Sequence, residues 1–193
     1  MGCRQAAVAA SESAQAATIV AERFNRPTFR TYVSSDIRGV ELGGAVKNVL
    51  AIAGGVSDGL GYGDNTKAAL LTRGLSEMAR LGVVLGAHKE TFYGLAGVGD
   101  LIATAASRLS RNWRVGNGLA QGKPLPEILT ELGQVAEGVP TASAVVALAQ
   151  RHSLELPVCA SVHALLQGKF TPEEAVNRLT VGRSARFESE PIV

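Results

Sequence analysis

The chain has 193 residues, 46% of them hydrophobic and 19% charged, with a formal net charge of +2. That length can bury a sizeable core without disulfides or structural metals, and the composition excludes a disordered chain. So small a net charge excludes the broad positive field of a nucleic-acid or anionic-membrane binder, so any anionic ligand has to be held by local arginines and lysines.

The start, MGCRQAAVAASESAQ, lacks the apolar segment of a secretion signal. Gly2 does not make a myristoylation signal, because Ala6 stands where a hydroxyl residue is required. No run approaches the roughly 18 apolar residues of a membrane span. Cys3 and Cys159 are far apart and match no zinc spacing, so they read as free thiols of a reducing compartment. The expectation is a soluble cytoplasmic protein.

QAAVAAS (5–11) is a short apolar run, SESAQAATIVAERFN (11–25) carries helix formers behind a serine cap, and FRTYVSS (29–35) alternates like a strand. Strand, helix, strand is an α/β unit, and so small a unit reads as the last piece of a larger sheet. From about residue 36 the pattern becomes helical. Val46, Val49, Leu50, Ala53 and Val56 form one apolar face. Lys47, Ala51, Gly54 and Asp58 line the other, which reads as a shallow groove of small residues holding one cation. GLGYGDNT (59–66) ends that helix and supplies caps for the next. Although GLGYG looks like part of a phosphate loop, it follows a helix rather than a strand and is not read as a cofactor loop. In the next helix Leu71, Leu75, Met78 and Leu85 repeat at helical spacing, and Arg73, Glu77 and Arg80 read as its solvated face. GLAGVGDLIATAASRLSRNWRVGNGLAQGK (94–123) follows, then PLPEILTELG, PTASAVVALAQRHS and PVCASVHALLQGK, each a short helix. TPEEAVNRL (171–179) is a capping box of Thr171 and Glu174 with Pro172 first in the helix. At least six helices and no second sheet are expected, with a poorly ordered tail, VGRSARFESEPIV. The many glycines near helices (Gly43, Gly44, Gly54, Gly55, Gly97, Gly99) imply close approach by a ligand or a neighbouring helix.

Candidate chemistry starts at Lys47, because an ammonium group inside an apolar helix has to be paired, snorkelling or used. Its functional reading is a proton donor and acceptor that polarises a carbonyl. Asn48 beside it can donate or accept hydrogen bonds. Asp100 reads either as a helix N-cap or as a partner that orients Lys47. Thr104 lies one turn later on the same face, suited to that contact or to core packing. SRNWR (110–114) brings two arginines together with Ser110 and Asn112, either a phosphate site or a solvated polar turn. Trp113 reads as core. His88, His152 and His163 have no metal-ligand spacing.

The segment GVELGGAVKNVLAIAGGVSDGLGYGDNTKAALLTRGLSEMARLG (39–82) strongly resembles the start of the C-terminal domain of NAD(P)-dependent glycerol-3-phosphate dehydrogenases. GLAGVGDL, SRN and QVAEG follow in that family's order, and the resemblance runs from about residue 5 to 182. It implies a mainly α fold, with an all-helical substrate-binding domain (36–193) preceded by the strand–helix–strand end of a Rossmann α/β domain (1–35). It implies interconversion of dihydroxyacetone phosphate and sn-glycerol 3-phosphate, a small-molecule substrate, with NAD or NADP as cofactor. By the same resemblance Lys47 is the catalytic proton acceptor. Asn48, Asp100, Thr104, Ser110, Arg111 and Asn112 bind substrate with it, and Arg111, Val135 and Glu137 touch the cofactor. The family's GxGxxG fingerprint does not occur in these residues, which implies weak dinucleotide binding and little turnover by them alone. Two other readings stand beside this one. The first is the helical half of a 6-phosphogluconate- or ketopantoate-type dehydrogenase. The second is a non-catalytic helical module whose exposed apolar face binds a partner or makes a homodimer.

Overall fold

The computed structural model describes residues 5–180; Cys3 and the 181–193 tail lie outside the described residues. Its first unit is strand β1 (Gln5–Ala10), helix α1 (Ala14–Phe24) and strand β2 (Phe29–Ser34). The strands pair in parallel, from Gln5 opposite Phe29 to Ala10 opposite Ser34. Parallel neighbours need a crossover, and α1 supplies it. The expected serine cap is Ser13, accepting the Ala16 N–H at 3.2 Å. Phe24, Tyr32 and Val33 remain more than half exposed on this unit.

The remainder is helical among the described residues: α2 (Ile37–Gly59), α3 (Gly63–Val84), α4 (Asp100–Ala106), α5 (Arg111–Ala120), α6 (Leu125–Leu132), α7 (Gly138–Arg151), α8 (Pro157–Leu166) and α9 (Pro172–Thr180). A 3₁₀ turn at Lys89–Tyr93 and a π-type turn at Leu95–Gly99 lead into α4. The capping box at α9 forms reciprocally: the Thr171 N–H reaches Glu174 Oε2 at 2.8 Å, and the Glu174 N–H reaches Thr171 Oγ1 at 3.2 Å.

The 23-residue α2 is the axis of the domain, with α3, α4, α5, α7 and α8 packed around it. This corrects the expected groove. Ala51 is fully buried and Gly54 faces the Ala105 methyl group of α4, so the small residues seat a helix rather than leave a cleft. The closest crossing is with α5. A methyl group on Gly55 would run into the Trp113 carbonyl, and one on Gly116 into that of Ile52. Glycine brings the two backbones together here, so a neighbouring helix is what approaches. Gly44 is different, because a Cβ there would meet nothing within 4 Å. Among these α2 glycines, the opening lies one turn from Lys47.

A second correction concerns α3. Its charged face is solvated at Arg73 but not at Glu77. Glu77 is only 2% exposed and accepts the N–H groups of Val158 at 2.7 Å and Cys159 at 3.0 Å. Those groups lie in the first turn of α8, where no intrahelical acceptor exists. Arg80 donates to the Glu155 carbonyl at 3.1 Å, and Arg73 donates to that of Leu179. Charged residues at helical spacing look alike whether they meet water or the ends of other helices. Burial pushes the Glu77 carboxyl above its ordinary range against the opposing pull of its two N–H donors. Burial, then the nearby Glu77 charge, raises the Cys159 thiol well above its ordinary value, so it stays a protonated core thiol.

Candidate active site

Lys47 and Asn48 project from the middle of α2. Lys47 donates to the Asp100 carboxylate, the first residue of α4, and their side chains are 19% and 39% exposed. The buried-lysine problem is thus solved by pairing at the rim of the core, with the ammonium group still reachable from outside. Asp100 is not a cap: it makes no capping hydrogen bond, and Gly99 precedes the helix. Instead, its second oxygen takes the Thr104 hydroxyl at 3.4 Å, one helical turn on. The predicted trio of Lys47, Asp100 and Thr104 therefore meets around one carboxylate.

Asn48 connects this trio to two other helices. Its amide donates to the Gly44 carbonyl at 3.1 Å and to Glu137 Oε2 at 3.4 Å. Its oxygen accepts from Asn112 Nδ2 at 2.9 Å, and Asn112 Oδ1 accepts the Gly138 N–H at 2.9 Å. Both asparagines are 7% exposed. The amide groups thus lock α2, the start of α5 and the start of α7 together, and Asn112 spends its main polar contacts inside the protein. Gly138 is part of this lock, because a Cβ there would meet the Asn48 carbonyl oxygen at 2.6 Å. Sequence reasoning stopped at Glu137; the glycine of QVAEG was the available signal.

Ser110 caps α5, its Oγ accepting the Trp113 N–H at 3.3 Å. Arg111, the next residue, is exposed, as is Glu137, and Val135 is 68% exposed. Trp113 is core-packed as expected, yet it also has a polar anchor. Its Nε1 donates to Asp58 Oδ2 at 2.6 Å, and Lys67 reaches the same oxygen at 2.6 Å. Asp58, on the same helical row as Lys47, therefore fixes the indole that follows Asn112. Among the described residues no group of histidine, cysteine, aspartate and glutamate side chains could hold a metal ion, and no helix is long and apolar enough to cross a membrane. This arrangement can bind a small polar molecule: a rim ammonium with a positioned carboxylate and hydroxyl, and an exposed guanidinium available for an anionic group.

Comparison with known proteins places these features in context. Residues 36–177 match the family model described as NAD-dependent glycerol-3-phosphate dehydrogenase C-terminus. The chain is 56% identical over 178 residues to a glycerol-3-phosphate dehydrogenase (NAD(P)+) from Synechococcus sp., covering 92% of this chain and 56% of that protein. With the protein of that name from Listeria innocua it shares 48% identity over 182 residues, 94% of this chain and 54% of the relative. A crystal structure of glycerol-3-phosphate dehydrogenase from Coxiella burnetii superposes with a TM-score of 0.89 at 44% identity, covering 92% of this chain and 55% of that one. The chain spans about half the length of the curated relatives it matches.

Proposed function

Because the chain belongs to the NAD-dependent glycerol-3-phosphate dehydrogenase family, whose C-terminal domain it contains, we propose that it supplies the substrate-binding half of an enzyme interconverting dihydroxyacetone phosphate and sn-glycerol 3-phosphate. Residues 36–193 are the helical substrate domain in this reading, and residues 1–35 are the end of the cofactor domain. The observation that carries it is the contact of Lys47 with Asp100, reinforced by Thr104, at the open edge of α2.

Reduction of a ketone needs a hydride at carbon and a proton at oxygen. Lys47 is a proton source on a stem fixed by a packed helix. Its ammonium group polarises the carbonyl oxygen and delivers the proton as the oxygen becomes a hydroxyl. In the oxidation direction the neutral amine takes that proton back. Asp100 holds the ammonium group in place, while Thr104 holds the carboxylate. Arg111 grips the phosphate with its planar fork and so sets the distance of the reacting carbon from Lys47. Ser110 adds a neutral donor, and Asn48 and Asn112 keep α2 and α5 in register.

The family is NAD(P)-dependent, and the residues present fit one edge of a nicotinamide cofactor. Val135 and Glu137 are exposed, and Glu137 is hydrogen-bonded to Asn48 beside Lys47. Arg111, Val135 and Glu137 would border the cofactor, which when bound supplies or accepts the hydride.

Replacing Arg111 by alanine tests the anchoring role. Calorimetric titration with sn-glycerol 3-phosphate is expected to show binding weakened by about 10- to 100-fold, the worth of a charge-assisted fork to phosphate. Because Arg111 is exposed, the thermal midpoint should stay where it is. Unchanged affinity would remove Arg111 from the site.

A further inference from the structure

The two arginines of SRNWR part company in the fold. Arg114 lines a cavity of about 240 Å³ with Arg108, from the loop before α5, and Lys123, from the turn after it; Arg111 is not among the lining residues. The apolar floor includes Trp113, Ile128 and Leu132. Glu131 is the one carboxylate in the lining, and Lys123 already holds it at 2.7 and 2.8 Å. Neither the Arg108 nor the Arg114 guanidinium has a hydrogen-bond or ion-pair partner among the described residues. Three cations therefore share one concave site with a single, already engaged anion.

We propose that this cavity binds a small phosphate-bearing molecule, a phosphomonoester whose apolar part rests on the Trp113, Ile128 and Leu132 floor. Two uncompensated guanidinium groups across a concavity repel each other, and a dianion between them removes that repulsion. Their planar forks match phosphate oxygens in pairs, whereas a lone carboxylate would satisfy only one of them. The cavity lies below the roughly 300–1,000 Å³ usual for drug-sized ligands, which suits a monoester and excludes a dinucleotide. A nucleic-acid strand would need a charged track that a chain of net charge +2 does not offer. Arg108 lies two residues before Ser110, and Arg114 three after Arg111, so such a ligand would tie down both sides of the α5 start.

Trp113 is the only tryptophan and lines the cavity, so its fluorescence reports occupancy. Titration of the full chain with inorganic phosphate and with phenyl phosphate should give a saturable change, with a Kd of about 1 mM or tighter for the ester. The double variant Arg108→Ala/Arg114→Ala, with an unchanged circular dichroism spectrum, should weaken binding at least about tenfold, and Arg111→Ala should leave it as it was. No saturable change up to about 20 mM ligand would overturn the proposal. So would equal affinity in the double variant, or loss of the response in Arg111→Ala alone, which would place the phosphate at Arg111 instead. Should the double variant fail to fold, the single variant Arg114→Gln decides by the same criteria.

Discussion

Replacing Lys47 by alanine is expected to lower kcat by about 10²–10⁴, the usual worth of positioned proton transfer. The assay follows NAD(P)H absorbance with the chain joined to a complete dinucleotide-binding domain, for example that of the Synechococcus relative. Lys47→Arg separates charge from proton transfer. It keeps a cation facing Asp100, so substrate affinity should be largely retained. Arginine does not release a proton in the working range, so kcat should stay near that of Lys47→Ala. The reason for so large an effect is structural. Lys47 stands on the most buried helix of the domain and is held by one carboxylate, itself held by Thr104. Retention of a near-normal kcat in Lys47→Arg would show that charge alone suffices and that another group moves the proton.

The second large effect concerns stability. Glu77→Ala should cost about 3–4 kcal/mol, because the N–H groups of Val158 and Cys159 lose their acceptor in a buried site and each unsatisfied donor costs about 1–3 kcal/mol. Against a typical total of about 5–15 kcal/mol, urea unfolding would register this as a large drop in midpoint. Glu77→Gln keeps one acceptor and turns an amide N–H toward the other donor, so about half the loss is expected. The pH dependence has a definite sign. Burial raises the folded-state pKa of Glu77 above its ordinary value of 4.5. Between those two values the folded state holds more protons than the unfolded one. The wild type therefore loses stability relative to Glu77→Gln as pH rises through the window just above 4.5. Asp36 has the opposite sign. Desolvation raises its pKa, but hydrogen bonds from Thr91, Gly39 and His88 more than offset this and lower it below 3.8. Its contribution is present at neutral pH and disappears as pH falls through the lowered value.

What could be read from the sequence was local. The capping box of Thr171 and Glu174 formed as expected because its two hydrogen bonds span three residues. The strand–helix–strand unit was legible for the same reason: each element carries its own period. Lys47, Asp100 and Thr104 were picked out by residue type and by family resemblance, but their meeting spans 53 residues and depends on how α4 packs on α2. The groove on α2 was misjudged because small residues mark either a cleft or a tight helix crossing, and the pattern is identical until the neighbour is known. Glu77 was misjudged on the same ground, its partners lying in α8, 81 and 82 residues away. Nor does the spacing of Arg111 and Arg114 reveal that only the latter lines a cavity with Arg108.

Soaking sn-glycerol 3-phosphate into crystals of the chain tests the substrate reading most directly. The ligand's secondary hydroxyl should lie about 2.8 Å from Lys47 Nζ, with Asp100 and Thr104 still gathered behind the amine and the phosphate on Arg111. No ligand at Lys47, or one whose hydroxyl ignores Lys47 while that amine stays locked on Asp100, would contradict the assignment, whether or not the Arg108 and Arg114 cavity is also filled.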